Sequence, residues 1–363
     1  MASKIFFDHQ IFTKQKIGGI SNYFFNLGIE MIKMNLDIKF FSPLHRNKYL
    51  LQIPKKNRFG SYVNFLPGRI NNSIDLINFH ISKKYLDKNS YDLIHQTYYS
   101  KKILSKLPKI LTVFDLISEK YPNYFKNFKD LQEEKKFSIE NSQHLICISE
   151  TTKNDLIEYF GVDPKKITVT LLASNLSNDL IEIKNKMLKN FILFIGNRRG
   201  YKNFDGFIEA FSKSNLIKKN FKIMIVGGEK FGNEDFEILK KNKMTLDHIQ
   251  IANEKKMSLS YIYSNVALMV YPSLYEGFGL PILEAMACGC PVLSSNGGSL
   301  QEVGGKNIEY FDPLDTDDMS FKFDKILSSN TNLKNQIAHG YKQSQKFSWE
   351  KCAKETIQVY QNI

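Results

Sequence analysis

The chain is poor in the features that would send it out of the cell or across a bilayer. It has only four cysteines, Cys147, Cys288, Cys290 and Cys352, all inside apolar patterns and with no zinc spacing. Cys288-Gly-Cys290 is too tight for a CxxC redox pair, so reduced thiols in a cytoplasmic setting are expected. No apolar run approaches the ~20 residues of a membrane span. The N-terminal Met-Ala-Ser-Lys-Ile-Phe-Phe-Asp enters a strand-like segment without the h-region of a signal peptide. A GxGxxG dinucleotide fingerprint is also lacking. Acidic residues are outnumbered, 37 against 50 Lys and Arg, for a net charge of +13. Nucleic acid, an anionic membrane surface and phosphorylated substrates are the partners such an excess suits. No RNA- or DNA-binding motif accompanies it, so nucleic acid is not expected as a partner. Part of the excess is a Lys/Asn/Ile-rich compositional bias.

The most informative stretch runs from Tyr271 to Leu293, YPSLYEGFGLPILEAMACGCPVL. Ala267 to Tyr271 reads as a buried parallel strand, Glu276 to Gly279 as a glycine-punctuated turn, and the residues after Pro281 as a helix. Strand, Gly-rich turn and helix together present unpaired backbone N–H groups and a helix N-terminus to an anion. Glu276 and Glu284 bracket the turn, one just before the amides and one a turn into the helix. Amides for a diphosphate and carboxylates for hydroxyl groups suit a sugar nucleotide.

At 363 residues the chain predicts two domains. Lys4 to Asp8 is a first strand, and Gly18-Gly19-Ile20-Ser21 opens a helix to about Lys33 with a Tyr23, Phe24, Leu27, Met31 core stripe. Strands recur at Asp37 to Ser42, Leu93 to Gln96, Lys109 to Phe114, His144 to Ser149 and Ile167 to Leu172. Between Leu44 and Lys88 the pattern loosens into basic and aromatic residues. That excursion suits either adsorption on anionic headgroups or a solvated, variable surface. The asparagine-rich Asn175 to Asn190 reads as a linker. A second alternation follows: strands Phe191 to Gly196, Phe221 to Gly227, Ile249 to Ala252, Val292 to Ser295 and Ile308 to Phe311, with helices Phe204 to Phe211 and Met257 to Ser264. An α/β protein with parallel sheets is expected.

Gly196-Asn-Arg-Arg-Gly-Tyr-Lys-Asn203 follows the second domain's first strand, at a carboxyl end, where open α/β sheets bind ligands. Arg198 there can grip phosphate oxygens bidentately and Lys202 can add a point charge, with Arg199 competing for the first role. Asp315-Thr-Asp317 spells an Asp-x-Asp metal string but precedes a helical pattern, so a capping turn is expected there. His95 and His144 sit in strand patterns and read as structural.

Glu-x7-Glu within EGFGLPILEAMACGCPV closely resembles the donor-site signature of retaining, GT-B-fold glycosyltransferases of family 4. The resemblance covers nearly the whole chain, strongest from Phe191 to Pro313 and looser before residue 90. It implies an α/β GT-B architecture, two Rossmann-like domains facing each other across a cleft. The implied domains are an acceptor-side domain over 1–175, a linker over 176–190, a nucleotide-sugar domain over 191–345, and a helix over 346–363 crossing back to the first domain. It assigns Glu276 to donor-sugar hydroxyls and Glu284 to the ribose diol. Arg198 and Lys202 go to the diphosphate, and the Gly277, Phe278, Gly279, Leu280 backbone to the sugar and diphosphate. Gly18 and Gly19 match the family's glycine loop over the diphosphate. One departure stands out: where many relatives read Thr-Val-His-Asp, this chain has Thr112-Val113-Phe114-Asp115. Phe114 cannot exchange a proton, which leaves Asp115 or His95 to take over a polar contact, or the enzyme to work without one.

The implied activity is metal- and cofactor-independent transfer of a hexose with retention, mannose from GDP-mannose being the favoured donor. The acceptor would be a glycan or a lipid-linked glycan, in surface polysaccharide assembly at the inner face of a membrane. The base pocket is expected near Gly227, Ile251 to Asn253 and the following helix. A GT-B-like nucleotide- or glycan-binding protein with weak catalysis is the alternative, kept open by Phe114.

Overall fold

The computed structural model describes residues 4–64, 71–177, 188–252, 257–306 and 308–363. Most of the expected linker and Asn253 of the expected base pocket lie outside these residues. The chain divides into two compact units, Met1–Leu172 with Trp349–Ile363, and Ala173–Ser348.

The first unit holds β1 (Lys4–Phe7), β2 (Asp37–His45), β3 (Arg58–Tyr62), β4 (Leu93–Gln96), β5 (Lys109–Val113), β6 (His144–Cys147) and β7 (Ile167–Val169). They form one parallel sheet in the order β3-β2-β1-β4-β5-β6-β7. The order reverses between β1 and β4, which pair Ile5 with Leu93 and Phe7 with His95. The Gly19–Lys33 helix buries Tyr23, Phe24, Leu27 and Met31 completely, as their i, i+3, i+4 spacing requires of a core-facing stripe. The Trp349–Gln361 helix joins this unit: Trp349 meets the Tyr23 ring at 6.0 Å, and the Tyr360 hydroxyl lies 2.5 Å from Nδ1 of His95.

The second unit holds β8 (Phe191–Ile195), β9 (Lys222–Val226), β10 (Ile249–Ile251), β11 (Leu268–Tyr271), β12 (Val292–Ser295) and β13 (Glu309–Phe311). Its parallel order is β10-β9-β8-β11-β12-β13, reversing between β8 and β11. Both central strands are continuous apolar runs, as strands covered on two faces must be. The Phe204–Lys213 helix buries Phe204, Phe207, Ile208 and Phe211, and Phe207 stacks on Phe194 of β8 at 5.5 Å.

The loose excursion between Leu44 and Lys88 is a correction to the sequence reading, because much of it is regular. β2 runs on to His45, β3 adds an edge strand beside it, and a helix spans Asn71–Leu86. The helix carries no clean apolar stripe because it docks partly through polar side chains. Asn78, fully buried, accepts from the Leu44 N–H at 2.8 Å and donates to the Leu44 carbonyl at 2.9 Å. All four cysteines are free and buried. Among the described residues no helix is long and apolar enough to cross a membrane.

Candidate functional site

The loops that leave β8 and β11 sit at the carboxyl ends of neighbouring strands, on either side of the order reversal, where open parallel sheets leave a crevice. The loop after β8 is bound to the loop after β11 along its length. The Leu274 N–H donates to the Tyr201 carbonyl at 2.7 Å. Asn203, in the left-handed region at φ 54°, donates from its side chain to the carbonyls of Pro272 and Pro313. These ties hold Lys202 over the end of β11. Its Nζ lies 2.5 Å from Glu276 Oε1 and 3.1 Å from the Tyr271 hydroxyl. Tyr271 in turn donates to the same carboxylate oxygen at 2.9 Å. Glu276 is only 8% exposed, and a buried polar group needs such partners to replace the hydrogen bonds it loses to water.

The turn that carries Glu276 is buttressed by the loop after β12. The Glu276 carbonyl accepts from Ser299 twice, from its N–H at 3.1 Å and its hydroxyl at 3.0 Å. A Cβ on Gly298 would come within 2.4 Å of that carbonyl oxygen, so only glycine allows the approach. Gly279, at φ +100°, opens the Leu280–Ala287 helix with Pro281 in the first turn. In the first turn Pro281 has no N–H, and the Ile282 and Leu283 N–H groups donate to the Gly279 carbonyl at 3.0 and 3.4 Å, so at the helix start that Gly277, Phe278, Gly279 and Leu280 form it is the Leu280 N–H that can meet a ligand. Glu284 lies one turn on and is partly buried, with the Tyr263 hydroxyl donating to it at 3.1 Å. Burial lifts its carboxyl to about 7, against the lowering effect of the Tyr263 hydrogen bond. The two glutamates thus have different chemistries. Glu276 is an ion-paired carboxylate, while Glu284 titrates near neutrality.

The two arginines of the basic loop have separate surroundings. Arg198, 4% exposed, donates from Nε to Asp235 Oδ1 at 3.1 Å and from its terminal nitrogens to the Gly227 and Glu229 carbonyls. Its guanidinium lies 4.4 Å from the centre of the Phe231 ring. Arg199 is more exposed, and forms a two-pronged pair with Asp235 at 2.6 and 3.0 Å and a contact with Glu234 at 2.7 Å. Asp235 is fully buried. Burial alone would raise its carboxyl, but Arg199, the Gly232 N–H and Arg198 hold it down at about 2. The sequence reading passed over Asp235, Tyr271 and Ser299. For Asp235 a signal existed in Gly232-Asn-Glu-Asp, an acidic residue three positions after a helix-opening glycine.

In the first unit, Gly18 and Gly19 stand at the start of the Gly19–Lys33 helix, with Gly18 extended at φ −178°. Asp115 follows β5, and its Oδ1 accepts from the Ile117 N–H at 3.1 Å while the Lys135 Nζ reaches its carbonyl. Phe114 is buried edge-on to Tyr23 at 5.3 Å. His95 is fully buried, with Nε2 2.8 Å from the Thr112 hydroxyl and Nδ1 bonded to Tyr360. Burial lowers its pKa to about 3, so it is a neutral structural residue. Asp315 caps the Thr316–Leu327 helix, accepting from the Asp317 and Asp318 N–H groups at 3.0 Å each, as expected of a capping turn.

Residues 17–171 match the family model described as Glycosyltransferase Family 4, and residues 178–343 match Glycosyl transferases group 1. The chain is 29% identical over 236 residues to O-antigen chain mannosyltransferase B of Escherichia coli, an alignment covering 61% of each chain. It is 28% identical to a glycosyltransferase of Methanocaldococcus jannaschii over 96% of this chain and 95% of that one. An O-antigen chain mannosyltransferase of Salmonella typhimurium is 30% identical, over 56% of this chain and 57% of the relative. Among solved structures, a sucrose-phosphate synthase from Thermosynechococcus elongatus superposes with a TM-score of 0.78 at 18% identity, covering 99% and 98% of the two chains. Anabaena HepE, solved in complex with UDP and glucose, gives 0.75 at 14% identity over the whole of both chains.

Proposed function

Since the chain belongs to glycosyltransferase family 4 and has the GT-B fold of two Rossmann-like domains, we propose that it transfers a hexose from a nucleotide sugar to a glycan or glycolipid acceptor in surface polysaccharide synthesis. The observation that carries this reading is the Lys202–Glu276–Tyr271 cluster beside the Gly279-capped helix. It joins a fixed cation, a fixed carboxylate and a helix N-terminus at the carboxyl ends of β8 and β11. Cleavage of a sugar–phosphate bond builds negative charge on the leaving nucleoside diphosphate. Lys202 and the Leu280 N–H at the helix start are the groups to bear it, together with the half-exposed Arg199 in the role first expected of Arg198, whose guanidinium is buried and donates to Asp235 and the Gly227 and Glu229 carbonyls. Glu276, held through Oε1, offers its other oxygen to sugar hydroxyls, and Glu284 takes the ribose diol.

The donor in this reading is GDP-mannose, supported by the mannosyltransferases among the relatives. Transfer proceeds with retention. Glu276 and Glu284, differently held, do not suit a nucleophile-and-acid pair, so the acceptor attacks from the face the phosphate leaves, and that phosphate takes its proton. The positive groups named above do the work a metal otherwise does. HepE's complex with UDP and glucose makes a uridine donor the competing arm of the test. In a thermal-shift panel of GDP-mannose, UDP-glucose and ADP-glucose, GDP-mannose is expected to raise the melting temperature most. No shift with any of the three overturns the reading, and a larger UDP-glucose shift replaces the donor.

Phe114 in place of a histidine supports a second reading, a nucleotide- or glycan-binding protein with weak catalysis. Nucleotide binding without donor hydrolysis or transfer would favour it. The net charge of +13, with exposed Lys55 and Lys56 and a half-exposed Phe59, supports work at an anionic membrane surface. The measure is co-sedimentation with anionic but not neutral vesicles. Undiminished attachment of a Lys55, Lys56, Arg58 triple alanine variant removes those residues from it.

A further inference from the structure

Leu314, 81% exposed, and Phe321, 65% exposed, are the most exposed large apolar side chains among the described residues. We propose that they dock a second copy of this chain, which meets them through the outer face of its Asn71–Leu86 helix. Leu314 precedes Asp315, the cap of the Thr316–Leu327 helix. An apolar residue there ordinarily packs on the fourth helical position as a hydrophobic staple. That position is Met319, fully buried in the core of the second unit, and Leu314 stays out in solvent instead. Met319, Phe323 and Ile326 seat the helix by its inner side, which leaves Leu314, Asp317 and Phe321 together on the outer one. Asp312, Asp315 and Asp317 are exposed around them, and Asp318 is half-buried. Among the described residues only Asp317 of these four has a cationic partner, Lys213 at 2.8 Å.

The Asn71–Leu86 helix carries the opposite charge on a face of the same kind. Ile74, Asn78, Ser82 and Leu86 are buried, one per turn along its inner side. Leu76, Ile77 and Ile81 are exposed on the outer side. Lys83, Lys84 and Lys88 continue that side, exposed and without a carboxylate partner among the described residues. Asp87 offsets one of the three charges. Each face thus sets apolar side chains beside charges mainly of one sign, the make-up of a surface built for contact.

Charge decides the occupant. An anionic membrane would take the basic helix and repel the acidic one, and a basic partner protein would do the reverse. A second copy satisfies both, because every copy carries both faces. The net charge of +13 opposes approach in most orientations, and this pairing is one in which opposite signs meet. At about 0.15 M salt the Debye length is about 8 Å, so distant repulsion is screened while charges in contact still attract. One helix laid on another buries less than the roughly 1,200 Å2 at which stable interfaces begin, so the contact is weak and reversible. It joins two different faces, and therefore chains copies together unless the rotation closes a ring.

The test is sedimentation velocity of the full chain at physiological ionic strength. The weight-average sedimentation coefficient should rise steadily from low to high micromolar concentration. Phe321→Ser removes the apolar anchor from one face, and Lys84→Glu reverses a charge on the other. Each should weaken self-association about tenfold or more. Both side chains are exposed, so circular dichroism should show both variants folded. Each variant keeps one face intact, and an equimolar mixture of the two should therefore form a one-to-one complex and grow no further. A fold defect in either variant would not be repaired by mixing. A chain that stays monomeric throughout, self-association that neither variant weakens, or a mixture that associates no better than its components would each overturn the proposal. Attachment to anionic vesicles that Lys84→Glu abolishes, with no self-association, would give the helix to a membrane and overturn it as well.

Discussion

The titration of Glu284 gives the sharpest quantitative test. Burial moves its carboxyl from an ordinary 4.5 to about 7 in the folded chain. That gap corresponds to about 3 kcal/mol of resistance to ionisation, at 1.36 kcal/mol per pH unit. Because the folded value lies above the unfolded one, the associated stability is fully present below pH 4.5 and is lost as pH rises through 7. Glu284→Gln keeps the shape and a carbonyl for the Tyr263 hydroxyl but has no proton to lose. At pH 4 and below the variant and wild type should therefore melt together. At pH 8.5 the variant should be more stable by up to about 3 kcal/mol, or roughly 6–12 °C for a unit of this size. Thermal unfolding followed by circular dichroism at several pH values reads the difference directly. A ribose diol donating to Glu284 needs the ionised form, so wild-type nucleotide affinity should fall about tenfold for each pH unit below 7. The variant's weaker affinity should be flat. Melting curves whose separation does not change with pH would refute the burial argument, and pH-independent wild-type affinity would refute the ribose contact.

Glu276→Gln should cut transfer by about a hundredfold or more while nucleotide affinity changes only a few-fold, since the carboxylate acts on charge that develops in the transition state; unchanged turnover removes it from the mechanism. Asp235→Ala leaves the buried Arg198 guanidinium without its anionic partner, and should destabilise the second unit by about 3–5 kcal/mol, measured by chemical denaturation. A loss below 1 kcal/mol would mean that the Gly227 and Glu229 carbonyls suffice. Transfer should persist in excess EDTA, because Lys202, Arg199 and the helix N-terminus supply the positive charge; abolition by EDTA with rescue by manganese contradicts that.

How much of this was legible depends on whether a residue's neighbours are local. The strand at Leu268–Tyr271, its glycine turn and the following helix could be read because a strand buried on both faces is a continuous apolar run. The turn, in turn, demands glycine where φ is positive, as at Gly279. The stripe of Tyr23, Phe24, Leu27 and Met31 was equally plain, since the period of a helix decides which side chains share a face. Pairing Glu276 with Lys202 on one site was suggested by the chemistry of each loop, but only folding set their atoms 2.5 Å apart. The Asn71–Leu86 helix escaped periodicity because Asn78 seats it by hydrogen bonds, and β3 escaped because an edge strand need not be apolar. Asp235 lies 37 positions from Arg198 in the chain, and nothing local marks it as that residue's counter-ion. The near-neutral carboxyl of Glu284 likewise follows from the protein packed around it. Residue order therefore determined the elements and the types of group at their ends. Tertiary contact decided which groups were paired, which were buried and which were left able to titrate, because desolvation and ion pairing depend on neighbours that the chain brings together only when it folds.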